Sequence, residues 1–524
     1  MTDEGIAPNA KRLLWAGFVA IMATGVGFSV RGGILVQWAE QFGFTMTELG
    51  KITGGGLTGF GIVIIITSLV AEKIGYGKLM GIAFLLHFIS AAVTLAAPAA
   101  FAAGGKGAAY DCLFWGMFIF AVGNGVCEAV VNPLTATLFP RNKTHYLNIL
   151  HAGWPAGLVV GGLASALMAG SGEGASATQP VDWKIQMSLF LIPVVIYGVM
   201  LMGQKFPQSE AASAGISVRQ MVASVITPIF FILLLLHALV GYVELGTDSW
   251  ISKITGAIME SPQKGLMLFV YTSSLMFALR FVAGPIVHKI SPLGLLLVSG
   301  ILGACGLLLL GSAASVLWCV VAATVYACGK TFLWPTMLAV ASERFPRGGA
   351  VAIGLMGGIG MLSAGTLGSP GIGYKQDYFA SKSLQESAPE TYQRYSAAEP
   401  NRFLFFPEIR GLDGAKVGVV EDGGEEHAAV MASLQESGKV DENVQALDAW
   451  WSDAKTHAEE DRAPVSAASL QGGRSALKAT AFVPATMALL YLGLIMYFKA
   501  TGGYRAIHVD EEALTGGIEG PMEA

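Results

Sequence analysis

Charged side chains are scarce in this 524-residue chain, where Asp, Glu, Lys and Arg together make up 13% of the sequence. A soluble protein of this size needs roughly a quarter of its residues charged to cover its surface. Hydrophobic residues make up 53% of the chain, and its mean hydropathy is +0.58. The shortage of charge therefore excludes an ordinary soluble domain and indicates an integral membrane protein.

Cysteine is also rare, with five residues in all: Cys112, Cys127, Cys305, Cys319 and Cys328. They lie within or at the edge of apolar segments, which gives neither a disulfide framework nor the spacing of a metal site. GGGLTG at 54–59 fits a dinucleotide-binding pattern, but it lies inside an apolar run with no strand before it. With no ATP-binding motif and no nucleophile–base pair in the apolar segments, we predict no enzyme, no metal, no cofactor and no nucleic-acid partner.

Apolar runs of about 20 residues recur, each long enough to cross a bilayer core of about 30 Å as a helix. We predict an all-α polytopic membrane protein with twelve membrane helices. These lie near residues 13–36, 49–70, 79–98, 112–138, 147–169, 185–203, 224–246, 265–287, 293–311, 316–341, 349–371 and 477–498.

Lysines and arginines collect on the side of the predicted bundle that holds both termini. They are Lys11, Arg12, Lys73, Lys78, Arg141, Lys143, Lys205, Arg219, Lys289, Arg344, Arg347, Lys499 and Arg505. The short loops of the opposite side have few, such as Lys106, Lys184 and Lys253. Because cytoplasmic loops carry the excess of basic residues, we expect a multi-pass protein of the plasma or inner membrane with both termini in the cytoplasm.

Two segments of the chain resemble each other, one ending at Arg141 and the other at Arg347. They read FWGMFIFAVGNGVCEAVVNPLTATLFPR and LWCVVAATVYACGKTFLWPTMLAVASERFPR. Aligning their prolines, Pro133 and Pro335, sets three pairs at equal depth: Asn124 with Tyr326, Glu128 with Lys330, and Asn132 with Trp334. Each set has i, i+4, i+8 spacing and so forms a polar stripe on one helix face. Charges at bilayer depth are costly and mark pathways, so the paired stripes indicate a transporter.

The repeat divides the chain into two pseudo-symmetric six-helix bundles with one insertion. The predicted units are an N-terminal bundle at 1–203, a cytoplasmic linker at 204–222, helices seven to eleven at 223–372, an acidic extracytoplasmic insertion at 373–476, helix twelve at 477–499 and a cytoplasmic tail at 500–524. Within the insertion, the spacing of Val444, Leu447, Trp450 and Trp451 predicts an amphipathic helix.

Several segments resemble the major facilitator superfamily, and within it the fucose/glucose permease branch of sugar:proton symporters. They are GNGVCEAVVNP in helix four, LNILHAGWPAG in helix five, GYVELGTDSWI in helix seven, RFVAGPIVHKISPLGLLL around helix eight and FLWPTMLAVA in helix ten. The resemblance covers nearly all of the chain except 373–476. It implies two six-helix halves that rock about a central site lined by helices one, four, seven and ten.

The resemblance also implies roles for individual residues. Glu128 matches the branch's proton-coupling carboxylate in helix four, Glu244 matches its acid in helix seven, and Arg280 matches a common arginine of helix eight. Two positions depart from the branch: Arg31 stands in the polar region of helix one, where an acid is common, and Lys330 replaces a small or polar residue.

The candidate residues fall into three groups. We expect contacts with the solute from Arg31, Asn124, Asn132, His151, Trp154, Tyr326, Lys330 and Trp334. We expect proton coupling from Glu128 and Glu244, and we interpret Asp248, one turn beyond Glu244, as a solvated helix end. We expect gating contacts from Glu72, Lys73, Lys78, Arg280, His288 and Lys289.

Lys330 is the expected ionic partner of Glu128, with Arg31 as the second choice. Glu128 then either alternates between a proton and this cation as the halves rock, or forms a permanent salt bridge that ties the halves together. The leading hypothesis is secondary active, proton-coupled transport of a monosaccharide or polyol by a monomer in the lipid bilayer. One alternative is a carrier of small organic anions that uses Arg31 and Lys330. Another is a non-transporting membrane sensor that meets a partner through the acidic insertion.

Overall fold

The computed structural model describes residues 7–44, 46–168, 180–436, 442–507 and 509. Within these ranges the chain forms twelve long helices, several of them interrupted by a kink or by non-helical residues. Their bounds are α1 (Ala10–Ser29 and Arg31–Phe42), α2 (Met46–Ile74), α3 (Tyr76–Leu95), α4 (Ala97–Leu138, kinked at Gly105), α5 (Lys143–His151 and Gly153–Met168), α6 (Trp183–Ser188 and Leu191–Leu201), α7 (Pro228–Gly241, Tyr242–Gly246 and Thr247–Ile258), α8 (Pro262–Arg280), α9 (Ala283–Gly311, kinked at Ser291), α10 (Val316–Lys330 and Leu333–Arg344), α11 (Gly349–Ser363, Ala364–Gly368 and Ser369–Ser387) and α12 (Ala458–Thr480 and Phe482–Ala500). The predicted all-α class is confirmed.

Eleven of these helices are long and apolar enough to cross a membrane. The twelfth is α8, which carries polar residues that include Lys264, Thr272 and Arg280. It nevertheless packs inside the bundle, against α5, α7 and α10. The predicted eighth helix, 265–287, is too long, because α8 ends at Arg280 and a new helix starts at Ala283. Pro285 is tolerated there, since the first turn of a helix needs no backbone donor.

Helices α1–α6 form one half of the bundle and α7–α12 form the other. The linker between them contains two short helices, Glu210–Ser213 and Val218–Ser224, and the 3-10 turn Pro346–Gly348 joins α10 to α11. The predicted start of the seventh helix near 224 is too early, because Thr227 caps α7 and Pro228 occupies its first position. Across the halves, α2 packs on α11, and α5 packs on α8 and α10.

Both ends of the described chain lie on one face of the bundle, which we call the terminal face. Asn9, before α1, donates a hydrogen bond to the carbonyl of Lys205 after α6, and Tyr504, after α12, contacts Glu343 at the end of α10. The opposite face, which carries the insertion, is the far face.

Glycines set the closest helix contacts both within and between the halves. A Cβ on Gly157 of α5 would lie 2.3 Å from the carbonyl oxygen of Met22 in α1. Between the halves, a Cβ on Gly61 of α2 would lie 2.7 Å from the carbonyl oxygen of Gly358 in α11. Larger residues would force these backbones apart, so the bundle depends on small residues for its packing.

On the far face, the ends of α11 and α12 pack on each other as an antiparallel pair. The helix from Gly349 reaches Ser387, which exceeds the about 20 residues that a membrane requires. The described part of the insertion contains four further α-helices: Pro389–Tyr395, Gly414–Asp422, Glu425–Glu436 and Glu442–Ala454. The predicted boundaries 373 and 476 therefore fall inside helices rather than at their ends.

The insertion has a small hydrophobic core of its own. Leu384, Tyr395, Val420, Val465 and Ala468 are buried together there, with Trp450 and Trp451 packed against them. The helix that carries both tryptophans, Glu442–Ala454, confirms the amphipathic helix that their spacing predicts. The insertion is therefore a folded element that is built on α11 and α12.

One partly buried ion pair, between Arg394 and Asp461, joins the insertion to α12. Asp461 accepts hydrogen bonds from Arg394 at 2.6 and 2.8 Å and from Thr391 at 2.7 Å. We expect Asp461→Ala to destabilise the insertion by about 2 kcal/mol, because Arg394 and Thr391 lose a charged acceptor. Limited proteolysis of the purified protein, followed within 389–457 as temperature rises, measures this loss. Glu460→Ala is the matched control, since the Glu460 side chain is 84% exposed, and equal losses in both variants would contradict the assignment.

Candidate functional site

The candidate site lies at mid-depth in the bundle, where α4, α5, α7, α8 and α10 meet. Two of these helices are irregular here: α7 contains the π-helical turn Tyr242–Gly246, and α10 breaks after Lys330. Prolines at 155 and 335 cannot donate the helical hydrogen bond to the carbonyl four residues earlier. They thereby free the carbonyl groups of His151 and Thr331 for other partners.

Arg280, the last residue of α8, uses both freed carbonyls. Its Nε donates to the Thr331 carbonyl at 2.9 Å, and its Nη1 donates to the His151 carbonyl. Its Nη2 forms a salt bridge of 2.9 Å with Glu244 Oε1, and both side chains are buried. Because His151 belongs to the first half, one guanidinium joins α5, α7 and α10 across the two halves.

A second ion pair lies one turn away, between Lys330 of α10 and Asp248 of α7. Lys330 also lies over the ring of Tyr326 at 5.4 Å, and the Tyr326 hydroxyl donates to the Val243 carbonyl at 2.6 Å. This pair, together with Tyr326, borders a small cavity between α7, α8 and α10. All of these residues belong to the second half of the protein.

This pairing corrects two sequence predictions. Lys330 was the expected partner of Glu128, but in this structure its ammonium group pairs with Asp248. Asp248 was the expected solvated helix end, but its side chain is only 6% exposed. The physical reason is that Lys330 and Asp248 extend from neighbouring helices of one half, where a buried lysine finds the nearest carboxylate.

Glu128 is held by amide hydrogen bonding rather than by a cation. Its Oε2 accepts a 2.6 Å hydrogen bond from Asn132 Nδ2, and it lies within ion-pair distance of no cation among the described side chains. The other end of the amide, Asn132 Oδ1, lies 2.8 Å from His151 Nε2. Since an amide oxygen only accepts, Nε2 carries the proton in this arrangement.

These contacts form one continuous polar path between the two halves. It runs from Glu128 through Asn132 to His151, whose own carbonyl accepts from Arg280, and it ends at Glu244. The path joins the two acids that the resemblance associates with proton coupling. Three hydrogen-bonded groups, Asn132, His151 and Arg280, thus connect the two carboxylates.

The other predicted solute contacts have diverse surroundings. Asn124 is tied into the first half, accepting from Thr24 at 2.8 Å and lying 2.9 Å from His87. Trp334 packs against His237 with 4.6 Å between ring centroids, and Trp154 packs against Phe28 at 5.4 Å. The indole N–H of Trp154 has no hydrogen-bond partner in the described structure. Arg31 begins the second segment of α1, and its side chain lies outside the described residues.

The terminal face is held closed by polar contacts between the halves. Those that are described all start from the first segment of α5, Lys143–His151. Besides the Arg280 contact, they join Lys143 Nζ to the Ser342 carbonyl (3.2 Å), Thr144 Oγ1 to Glu343 Oε1 (2.9 Å), Asn148 Nδ2 to Thr336 Oγ1 (3.3 Å) and the Gly284 amide to His145 Nδ1 (3.2 Å). The structure thus shows a state that is shut on this side.

The predicted gating residues lie elsewhere on the terminal face, apart from Arg280. Glu72 accepts a 2.9 Å hydrogen bond from Tyr76 within the first half. Four others are exposed at the surface: Lys73, Lys78, His288 and Lys289. Their gating role stays a prediction, since the contacts that close this face come from α5 and α10.

Sequence reasoning missed His237 and the role of Pro155 and Pro335. His237 is fully buried in α7, and neither ring nitrogen has a hydrogen-bond partner in the described structure. It lies two turns before Glu244, a spacing that places both on one helix face. The His-x-x-x-Pro and Thr-x-x-x-Pro spacings at 151–155 and 331–335 were also readable signals, since each marks a freed carbonyl at membrane depth.

Comparisons with known proteins agree with this architecture. The sequence model of the Major Facilitator Superfamily matches residues 17–369. None of the curated proteins matches the chain at a significant level. The fucose:proton symporter FucP of Escherichia coli superposes with a TM-score of 0.53 at 17% identity, covering 69% of this chain and 92% of its own.

Two further solved structures are similar over more of the chain. A bacterial homologue of the human lysosomal transporter Spinster, in an inward-facing conformation, gives a TM-score of 0.59 at 14% identity, covering 93% of this chain and 97% of its own. The human organic anion transporter MFSD10 gives 0.56 at 11% identity, covering 93% and 100%. At these identities the likeness shows a shared fold and nothing finer. The family match extends over more than half of the sequence and includes every helix that contributes to the candidate site. The chain therefore belongs to the Major Facilitator Superfamily and is a multi-pass membrane transporter rather than an enzyme.

Proposed function

We propose that this protein is a secondary active transporter that couples protons to the movement of a small polar solute, a monosaccharide or polyol. The observation that carries the proposal is the state of Glu128, a buried carboxylate held by Asn132 with no described cation at ion-pair distance. The other two carboxylates of the site, Glu244 and Asp248, each have a cation. Glu128 is therefore the acid that gains most from binding a proton.

The polar path suggests how a proton and a change of state are linked. Opening of the terminal face must break the bond between Arg280 and the His151 carbonyl, because its two ends belong to different halves. Protonation of Glu128 removes the negative charge that orients Asn132, and with it part of the force that orients His151. The proton thereby lowers the cost of releasing Arg280 from the first half.

The charge balance favours an uncharged solute. Both described cations of the site, Arg280 and Lys330, are already compensated by carboxylates. Unpartnered hydrogen-bonding atoms remain on Trp154, His237, Glu244 and Thr247, and they include both donors and acceptors. Hydroxyl groups use both kinds, and the indole face of Trp334 suits the C–H face of a sugar ring. FucP, a fucose:proton symporter of the same fold, is consistent with this solute class.

The organic-anion alternative now depends on Arg31. Lys330 has its own counter-ion, so an anionic solute would have to displace Asp248 to reach it. MFSD10 transports organic anions on the same fold, which shows that the architecture accommodates them. Variants of the two cations separate the alternatives.

The terminal face is assigned to the cytoplasm in this proposal. The exposed basic residues of that face include Lys73, Lys78 and Lys289. Cytoplasmic loops carry such an excess of lysine and arginine, and both termini would then be cytoplasmic in the plasma or inner membrane. The closed state described above is then closed to the cytoplasm. All described residues of the site belong to one chain, which fits a monomeric transporter.

Glu128→Gln tests the coupling role in reconstituted vesicles. We expect the variant to lose accumulation driven by a pH gradient while retaining part of its solute exchange, because glutamine hydrogen-bonds Asn132 but cannot carry the proton. A panel of labelled monosaccharides, polyols and organic acids supplies the solutes. Asp111→Asn, which changes an exposed acid at the outer end of the same helix, is the control. Unchanged uphill accumulation in Glu128→Gln would remove Glu128 from the mechanism.

The Lys330–Asp248 pair is tested by a double-mutant cycle. Lys330→Gln leaves Asp248 as a buried, unpaired carboxylate, and we expect a loss of about 3–5 kcal/mol in the free energy of unfolding. Asp248→Asn together with Lys330→Gln removes both charges and should recover most of that loss, as measured by thermal unfolding in detergent. Uptake of a neutral solute should persist in the double variant.

Uptake that survives Glu128→Gln but fails in Arg31→Gln and in Lys330→Gln would support the organic-anion carrier instead.

Removal of the insertion separates a carrier from a sensor. The insertion helices pack on α11 and α12, so deletion of 388–456 with a short Gly/Ser connection between Ser387 and His457 spares the membrane bundle. We expect substantial flux in the deleted protein, because the residues of the site all lie outside this segment. Complete loss of flux in a protein that still folds, judged by its melting curve, would favour a role for the insertion in sensing or gating.

A further inference from the structure

The chain after α12 folds back beneath the bundle. Gly502 and Gly503 have φ angles of 101° and 98°, a region that residues with a side chain rarely adopt, and they reverse the chain direction. The following residues lie against α10, and the ring of Tyr504 packs edge-on to Phe498 with 5.6 Å between centroids. The segment 501–507 is therefore held at the terminal face by specific contacts.

Four described hydrogen bonds join this segment and Val509 to α10 and to the linker. The Tyr504 hydroxyl donates to Glu343 Oε2 at 2.6 Å, and the Ile507 amide donates to the Glu343 carbonyl at 2.9 Å. Arg344 Nη1 donates to the Arg505 carbonyl at 2.9 Å, and the Val509 amide donates to Glu210 Oε1 at 3.2 Å. The partners lie at the end of α10 and in the linker between the halves.

The same two carboxylates also contact the first half. Glu343 receives Thr144 of the first half on Oε1 and Tyr504 of the tail on Oε2. Glu210 lies 3.7 Å from Lys143, which itself donates to the Ser342 carbonyl. The tail thus completes the hydrogen bonding of Glu343 at the contact that closes the terminal face.

The chemistry of the pair suits a stable contact. Glu343 is only 8% exposed, so a carboxylate oxygen without a donor would be costly there. Burial first, and the neighbouring Glu343 carboxylate second, raise the pKa of Tyr504 well above its ordinary value. The phenol therefore keeps its proton and remains a donor throughout the physiological pH range.

We propose that the segment 501–507, together with Val509, is a latch that stabilises the closed state of the terminal face. Its hydroxyl donor fixes the Glu343 carboxylate in the position that receives Thr144 from the opposite half. Opening of this face separates Thr144 from Glu343, and the latch makes that separation less favourable. The tail then sets how often the transporter opens on this side, whatever solute it carries.

Hydrogen–deuterium exchange of the purified full-length protein tests the latch without a solute. In Tyr504→Phe, we expect the amides of Lys143–His151 and Leu333–Arg344 to exchange about tenfold faster, the change that corresponds to one lost hydrogen bond to a charged acceptor. Tyr497→Phe is the matched control, because Tyr497 is an exposed tyrosine of α12. It should leave the exchange of both segments unchanged.

A truncation after Thr501 provides a second, independent variant. It removes all four hydrogen bonds and should accelerate exchange in the same two segments at least as much as Tyr504→Phe does. Exchange in Gly153–Met168 reports whether the bundle as a whole is loosened. Unchanged exchange of Lys143–His151 in the truncated protein, or acceleration spread equally over Gly153–Met168, would overturn the latch. Either result leaves the assignment of Glu128 untouched, since proton coupling is measured separately.

Discussion

The arrangement of the site depends on the cost of placing charge inside an apolar bundle. The buried guanidinium of Arg280 is stabilised by three hydrogen-bond acceptors: the Glu244 carboxylate and the carbonyl groups of Thr331 and His151. The two carbonyls are available only because Pro335 and Pro155 cannot donate to them. Two prolines in two different halves thus create the binding site for one guanidinium, and the guanidinium in turn joins the halves.

The other charges follow from the same constraint. Lys330 is satisfied within its own half by Asp248, which leaves Glu128 to be stabilised by an amide. Three described carboxylates and two described cations therefore share the site. The carboxylate without a cation is Glu128, which is linked to His151 through Asn132. A buried acid without a counter-ion is poorly suited to a permanent structural role and well suited to a reversible one. The structure shows no salt bridge between Glu128 and Lys330, because Lys330 pairs with Asp248, and a proton-coupling role for Glu128 stays a prediction.

The hydrogen bonds that close the terminal face are concentrated on one helix. Every described hydrogen bond between the halves starts from one nine-residue helix, Lys143–His151, and most of its partners belong to α10. The tail reaches the same contact through Glu343. The central site and the terminal face are connected through this helix, because His151 at its end belongs to both. A single short helix thus contacts both the site and the terminal face.

The sequence by itself determined the class of the molecule. Three features of the sequence predict a two-half helical transporter. They are the lengths of the apolar runs, the repeated segments around Pro133 and Pro335, and the positions of Glu128, Glu244 and Lys330 within apolar runs. These features are local. The length of an apolar run shows that it can cross the bilayer, and a charged side chain inside such a run is energetically costly wherever it lies in the fold. Helix ends were less predictable, as the early end of α8 shows, because capping and packing decide them.

The tertiary structure alone decided which acid meets which cation. That choice depends on the rotation of each helix about its axis, and the π-turn Tyr242–Gly246 shifts the register of α7 between Glu244 and the regular helix that carries Asp248. No spacing rule in the sequence predicts such a turn. None predicts that Thr144 and Tyr504 both bind the carboxylate of Glu343. Contacts between segments that are distant along the chain follow from packing, and packing is a property of the whole bundle.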